Sequence, residues 1–346
     1  MYRSGQRSAS AGSFHSQLPA CWELRWKSTT PVLSTNCAAA DQALYRSWAK
    51  ELEEESGISV QYIEEGILRA ALTEEDELEL RSRLAWMRDA EWLEADTLRK
   101  LEPELSPAVR GGLHLPADHQ IHPVWLARAL RAALARQGCA IREWTPVFSL
   151  VQTPNGRIVG VRTSEGELQA DLVILSAGAW SPALTAPLGL TLPMFPVKGQ
   201  CISVKTEAPL TRATVFTKGR YIVPKEDGTC IVGATQLEAG FDKRPSAAVI
   251  GELHRRSAEL LPRMAEAEFV GTWAGLRPGT RDGLPFLGTW DAAPGLLFAT
   301  GHYRNGILLA PVTGRLVRRL ALSEGPELDL SAYAPGRAAA ADPAFI

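Results

Sequence analysis

No stretch of this 346-residue sequence is apolar for long enough to cross a bilayer; the most apolar run, Leu172 to Ala177, has the length of one buried strand. An excess of charge of one sign is lacking too. With 37 basic and 39 acidic residues and a net charge of -2, there is no basic footprint for a nucleic acid. Cysteine is scarce: Cys21, Cys37, Cys139, Cys201 and Cys230 form no CxxC pair, which excludes a disulfide-stapled framework and fits the reduced thiols of a cytoplasmic protein. His114, His119 and His122 lie close together, but their spacing matches no zinc pattern and no cysteine is near, so no metal is expected. No Ser-His-Asp or Cys-His set for nucleophilic catalysis is legible either.

What is present is ordinary globular material, 45% hydrophobic and 22% charged, long enough for two intimately joined domains. From Asp41 the pattern becomes regular. Leu44, Trp48 and Leu52 predict a helix over Gln42 to Ser56, stopped by Gly57. Val60 to Ala71 reads as extended. Thr73 to Arg88 reads as a helix whose N-cap threonine is followed by acids that suit the helix dipole. A short helix from Asp96 ends at Pro103, and Pro123 to Gln137 is a helix with proline in its first turn and Gly138 past its end. Strands follow at Pro146 to Val151, Ile158 to Thr163, Glu167 to Leu175, Gly199 to Lys205, Arg220 to Pro224 and Thr229 to Thr235, separated by Asn, Asp, Pro and Gly turns. A helix over Pro245 to Leu261, a strand over Gly295 to Thr300 and a helix from about Gly306 to Ser323 close the chain. This mixture predicts an α/β fold with an antiparallel second sheet.

Three segments carry chemistry. Gly295 to Thr300 feeds through Gly301 and Gly306 into a helix, whose free N–H groups would form a site for negative charge; the same pattern also fits a plain glycine turn between packed elements. In Trp273-Ala-Gly-Leu-Arg-Pro-Gly-Thr, Arg277 offers a planar fork suited to a carboxylate, although an arginine in a Pro/Gly loop is ordinarily a surface residue. In Gly219-Arg-Tyr-Ile-Val-Pro, Tyr221 is either a half-buried strand tyrosine or a carboxylate ligand.

Together these segments, with Pro196-Val-Lys-Gly-Gln-Cys and Leu175-Ser-Ala-Gly-Ala-Trp-Ser, resemble the glycine oxidases within the D-amino acid oxidase family, from about Gln42 to about Leu322. The resemblance implies a D-amino acid oxidase-like α/β fold with FAD as cofactor. It implies that His302, Tyr303, Arg304, Asn305, Gly306, Ile307 and Leu308 line the isoalloxazine, with the helix end favouring the negative charge of the reduced flavin, and that the backbone of Val147 meets the adenine end. Arg277 and Tyr221 would hold the substrate carboxylate, with Arg304 beside them, and Gln236 stands where the resemblance allows a methionine. The activity implied is oxidative deamination of glycine, small amines or D-amino acids by oxygen, supplying the glycine imine for thiamine thiazole synthesis. A D-amino acid dehydrogenase or a sarcosine oxidase-like enzyme is the alternative, though no cysteine follows Cys230 to attach a flavin covalently. A cytoplasmic homotetramer is also implied. Residues 41–60, 118–195 and 278–346 would form the FAD-binding Rossmann-type domain, and 61–117 with 196–277 the substrate domain.

Residues 1–40 stand apart. They are rich in Ser, Thr and Arg and poor in acid, as a transit peptide is. A flavoprotein of this type should open with a strand, GxGxxG, a helix and an acidic residue. Gly5 and Gly12 are the only glycines in this stretch, so the N-terminal βαβ unit is missing and the chain could be a fragment without activity. The family also carries a segment resembling AAGMLGAQVE before the helix at Gln42. Translated one nucleotide earlier, the codons of Gln17 to Lys27 permit that segment, and the pairs Cys21-Trp22, Trp22-Glu23 and Trp26-Lys27 force its Leu, Gly and Glu in order. A wrong-frame N-terminus without ordered structure is therefore expected. Resequencing the start of the gene checks this: an upstream open frame encoding GxGxxG is the expected result, and its absence sinks the reading.

Overall fold

The computed structural model describes residues 20–21, 34–85, 87 and 89–338. Most of the segment expected to be out of frame lies outside these residues. Its described parts do carry structure. Ala20–Cys21 pairs antiparallel with Gln120–Ile121, and α1 runs Ser34–Ser56, starting eight residues before the expected Gln42. The run Ala38-Ala39-Ala40 explains the extension, because alanine is the residue least penalised in a helix.

An eight-stranded sheet dominates the molecule. Its strands in chain order are β1 (Ile67–Ala71), β2 (Glu91–Glu94), β3 (Gly111–Leu115), β4 (Met194–Lys205), β5 (Thr214–Thr217), β6 (Arg220–Pro224), β7 (Thr229–Gly233) and β8 (Glu268–Thr280). They lie side by side as β8-β4-β7-β6-β5-β1-β3-β2. Every pair is antiparallel except β5 with β1, where Thr214 meets Ile67. The capping box expected at Thr73 is present at the start of α2 (Glu74–Arg83): Asp76 N donates to Thr73 Oγ1 at 3.1 Å, and Thr73 N donates to Asp76 Oδ2 at 3.0 Å. α3 (Pro123–Arg136) has His122 as its cap, with Nδ1 accepting from Val124 N at 3.3 Å. Burial, with Lys225 nearby, pushes His122 down to about 4, so the ring stays neutral and keeps this acceptor.

The sheet separates two cores through the alternation of side chains along each strand. Cys201, Phe216, Tyr221, Val223 and Ile231 face α1 and α3, where they pack with Tyr45, Ala49, Leu52, Leu126 and Ala129. Ile202, Val215, Ile222, Cys230 and Val232 face the other way, against Leu253 and Leu260 of α4 (Ala247–Leu260). A third core, with Ile158, Leu175, Phe286 and Phe298, belongs to a smaller sheet. There Val173–Leu175 pairs parallel with Leu296–Thr300, which pairs antiparallel with Phe286–Thr289. A separate antiparallel meander joins Val147–Gln152, Ile158–Thr163 and Gly166–Gln169.

Two expectations need correction. The strand expected over Glu167 to Leu175 is two strands in two sheets, Gly166–Gln169 and Val173–Leu175, because the chain leaves the meander to enter the smaller sheet with Leu296–Thr300. The last helix, α5, is Ala310–Ala321 and does not begin at Gly306. Pro311 sits in its first turn, where its missing N–H costs nothing, and Gly301 to Leu309 is left as a shaped turn.

Among the described residues no helix is long and apolar enough to cross a membrane. The double-faced packing makes Ile222, fully buried against α4, a sensitive position. Ile222→Ala is expected to cost about 2–5 kcal/mol in denaturant unfolding, whereas Leu78→Ala, at a side chain 64% exposed, should stay within about 0.5 kcal/mol.

Candidate active site

One face of the large sheet carries a row of side chains fixed by register. Arg69 on β1 stands beside Phe216 on β5, Phe216 beside Tyr221 on β6, and Tyr221 beside Gly233 on β7. The Arg69 Cζ lies 4.7 Å from the centre of the Phe216 ring, and the Phe216 and Tyr221 rings meet edge to face at 5.5 Å.

Two glycines clear the centre of this face. A Cβ at Gly233 would stand 2.5 Å from the Tyr221 hydroxyl oxygen, and a Cβ at Gly199 would stand 2.5 Å from Arg277 Nη1. Gly199 is on β4 and Gly233 on β7, which are adjacent strands. The tyrosine therefore lies flat from one side and the arginine from the other, so their polar ends converge. Arg277 is only 4% exposed, and its Nη1 donates to Thr235 O at 3.1 Å. Thr235 is itself fixed, its Oγ1 accepting from Gln200 N at 3.0 Å. The Cys201 Sγ lies 3.8 Å from the Tyr221 hydroxyl. Burial pushes the Cys201 thiol up to about 11, so it adds no negative charge here.

A cavity of about 400 Å³ opens above the row, with Arg69, Phe216, Tyr221, Thr235, Gln236 and Arg304 in its wall. Tyr221 and Arg304, both expected from sequence, thus share one wall. Arg277 does not line the cavity and adjoins it through Thr235. Arg69 and Phe216 were missed. The available signal was an arginine at an inward position of the otherwise apolar strand Ile67-Leu-Arg-Ala-Ala.

The turn before α5 closes the other side. Gly301 takes a positive φ of 82°, and a Cβ there would meet Thr280 Cγ2 at 2.9 Å, so only glycine fits without displacement. Tyr303, at φ 52°, donates its N–H to Pro278 O at 3.2 Å, and its hydroxyl accepts from Gln236 Nε2 at 3.1 Å. Asn305 N donates to His302 O at 2.9 Å. Tyr45 of α1 donates its hydroxyl to Ile307 O. His302 Nε2 lies 3.0 Å from Thr313 Oγ1, and burial pushes the ring down to about 4, leaving it neutral. The amides of Gly306, Ile307 and Leu308 meet no acceptor among the described residues. Three such donors at the approach to a helix suit a carbonyl or other electron-rich edge.

Val147 lies apart from this turn, 41% exposed at the start of the meander and paired with Thr163. The three histidines do not converge on a metal. His114 Nδ1 meets Glu91 at 2.8 Å, His119 faces Glu64 at 3.7 Å, and His122 caps α3.

A parallel strand pair with an amide-rich turn, joined to an antiparallel sheet with a cationic cavity, fits an oxidoreductase that brings a small anion to a dinucleotide cofactor. Residues 2–320 match the family of FAD dependent oxidoreductases, and the chain belongs to that family. It is 37% identical over 336 residues to the glycine oxidase of Geobacillus kaustophilus, covering 95% of this chain and 86% of that protein. The crystal structure of that glycine oxidase superposes with a TM-score of 0.89, over 94% of this chain and 89% of that one. A bifunctional protein ThiO/ThiG of Nostoc sp. is 35% identical over 298 residues, 84% of this chain and 44% of that protein. The site fits FAD in two respects: the acceptor-free amides of 306–308 could donate to an electron-rich edge, and the missing Cβ at Gly301 leaves the turn close to the sheet.

The clearance at Gly199 and Gly233 is testable by itself. Gly199→Ala and Gly233→Ala should each lower stability by about 1–3 kcal/mol through overpacking. Gly251→Ala, in α4 with nothing within 4 Å of its added Cβ, should raise stability by about 0.5–1 kcal/mol. Thermal melts of the three variants give the comparison.

Proposed function

We propose that the protein oxidises the α-amine of glycine, and of small amines and D-amino acids, to a 2-oxo acid with release of ammonia and hydrogen peroxide, and that the glycine imine it forms supplies thiamine thiazole synthesis. The observation that carries this reading is the buried Arg277 laid over Gly199 beside Tyr221. An arginine at 4% exposure fits a planar anion as small as the carboxylate of an amino acid. FAD, when bound, accepts two electrons and a proton equivalent from the substrate Cα–H and passes the electrons to oxygen.

The protein's own part is placement. Arg277 and Arg304 offer charge to the carboxylate, Tyr221 offers a hydroxyl, and Gln236 braces Tyr303 at the edge of the cavity. With the carboxylate fixed, the Cα of a small amino acid has few orientations left, and positioning of this kind lowers a barrier without an acid or base. Cys201 stays neutral, so it does not compete with the substrate carboxylate for the arginines, and His302 stays neutral and adds no cation to the turn. The neutral amine needs no side-chain base.

His302 to Leu308 would then line the isoalloxazine and Val147 would serve the adenine end. The thiols at Cys139, Cys201 and Cys230 are free, which supports a cytoplasmic setting. A homotetramer, which the family resemblance implies, is part of this proposal. One observation favours a second reading, a fold without activity: residues 1–40 hold Gly5 and Gly12 alone where a pyrophosphate turn needs three glycines.

Flavin absorbance and peroxide release with glycine separate the two readings; a colourless protein that binds no added FAD would retire the enzymatic one. In a yellow protein, Arg277→Met should lower kcat/KM for glycine by roughly 10- to 150-fold, as expected for a charged hydrogen bond worth about 1.5–3 kcal/mol. Tyr221→Phe should lower it about tenfold. Unchanged values in both variants would remove the carboxylate assignment.

A further inference from the structure

Between β7 and α4 the chain forms a strap against the large sheet. Thr235 to Leu237 first run beside β4. Gln200 N donates to Thr235 Oγ1 at 3.0 Å, Lys198 N to Leu237 O at 2.8 Å, and Leu237 N to Lys198 O at 3.0 Å. The strap turns at Gly240, whose φ is 56°. Phe241, near its tip, has its ring centre 5.3 Å from that of Trp180, in the short turn Gly178–Trp180 that follows the Val173–Leu175 strand. The chain then comes back to β4 and enters α4 after Ser246.

The first residues of the strap belong to the cavity. Thr235 and Gln236 stand in its wall, where Thr235 O accepts from Arg277 Nη1 and Gln236 meets the Tyr303 hydroxyl. The returning part is held from below. Lys198 and Gln200 flank Gly199, and Arg277 lies over Gly199, so their side chains leave the opposite face of β4. Gln200 Oε1 accepts from Ser246 N at 2.6 Å. Lys198 Nζ donates to Arg244 O at 2.6 Å and meets Asp242 Oδ2 at 3.4 Å. Lys198 is 5% exposed, and an ammonium is kept out of water only where acceptors meet it. Both of these acceptors belong to the strap, so a buried cation beneath the arginine slot draws the strap against the sheet.

We infer that Lys198 is a positioning residue for the carboxylate end of the cavity: by fastening 242–244 under β4 it keeps Thr235 O against Arg277 and Gln236 against Tyr303. This rests on the carboxylate assignment made above. Lys198 stands on the far face of the sheet and acts through the strap, without touching the ligand. With the strap loose, the fork of Arg277 loses the acceptor that sets its rotation, and a bound carboxylate has to order it again. The effect therefore appears in affinity and KM, while kcat, set once the substrate is held, moves little.

Calorimetric binding of acetate to the full chain reads the arginine slot without turnover, and KM and kcat for glycine read it with turnover. Lys198→Met should weaken acetate binding about tenfold and raise KM by a similar factor, with kcat within about twofold, as expected for partial loss of one charged hydrogen bond. Lys198→Arg, which keeps a cation for Arg244 O and Asp242, should recover to within about threefold of the unaltered protein. Phe241→Ala, at a side chain 53% exposed and so of small effect on folding, loosens the strap at its tip and should weaken acetate binding about threefold. Ile222→Val, which destabilises the same sheet from the α4 face, should leave acetate affinity unchanged. Unchanged acetate affinity in Lys198→Met (in Phe241→Ala, should the first not fold), or an equal loss in Ile222→Val, would overturn the inference and leave Lys198 as a structural ion. Acetate binding that survives Arg277→Met is a separate result: it would remove the carboxylate site itself, and this inference with it.

Discussion

Arg277 can lie flat across the sheet only where no Cβ rises beneath it. A guanidinium needs a planar slot about as deep as an aromatic ring, and a β-sheet face offers none while every position carries a side chain. Gly199 opens that slot beneath Arg277, and Gly233 on the adjacent strand does the same beneath Tyr221. Much else follows from the slot. The arginine is taken out of water, which costs several kcal/mol for an ion unless polar groups meet it, and Thr235 O, held in place through Gln200 N, supplies one such group. The tyrosine can point along the sheet toward the arginine instead of standing up into α1.

The same sheet serves as wall and as foundation. Its far face is an apolar layer against α4, with Ile202, Ile222 and Val232 fully buried. That layer fixes strand register, and register is what aligns Arg69, Phe216, Tyr221 and Gly233 in one row. A slip of one residue in any of these strands would turn its member of the row to the α4 side. The near face is tied to the flavin side by a polar contact, Tyr45 to Ile307 O, within the core that also holds Leu308. Packing and site are therefore a single construction: the α1–α3 core that stabilises the sheet also sets where the turn before α5 stands.

This explains which parts were legible from the residues alone. The helix at Thr73, the helix at Pro123 and the strands at Ile158, Arg220 and Thr229 follow from local patterns, namely a cap, a proline and an alternation closed by Asp-Gly. Such signals are short in range and survive any tertiary arrangement. The row across the sheet is of another kind. It joins Arg69 to residues about 150 positions later through a parallel pairing of β1 with β5, and no local pattern encodes that register. The start of α5 was misplaced for a related reason. The sequence Gly-Ile-Leu-Leu reads as helix, but Ile307 O is taken by Tyr45 and the turn is tied to Pro278 through Tyr303, which hold it open until Pro311.

Electrostatics sharpen the picture of the cavity. The sulfur nearest Tyr221 and the imidazole in the turn are both titratable, and either, if ionised, would change the charge felt by a bound carboxylate. Burial moves them in opposite directions, the Cys201 thiol up to about 11 and the His302 ring down to about 4, and the result is the same neutral state for both over the physiological range. Neither group therefore adds charge beside a bound carboxylate, and the positive charge that Arg69 and Arg304 bring to the wall is of a kind that does not lose its proton.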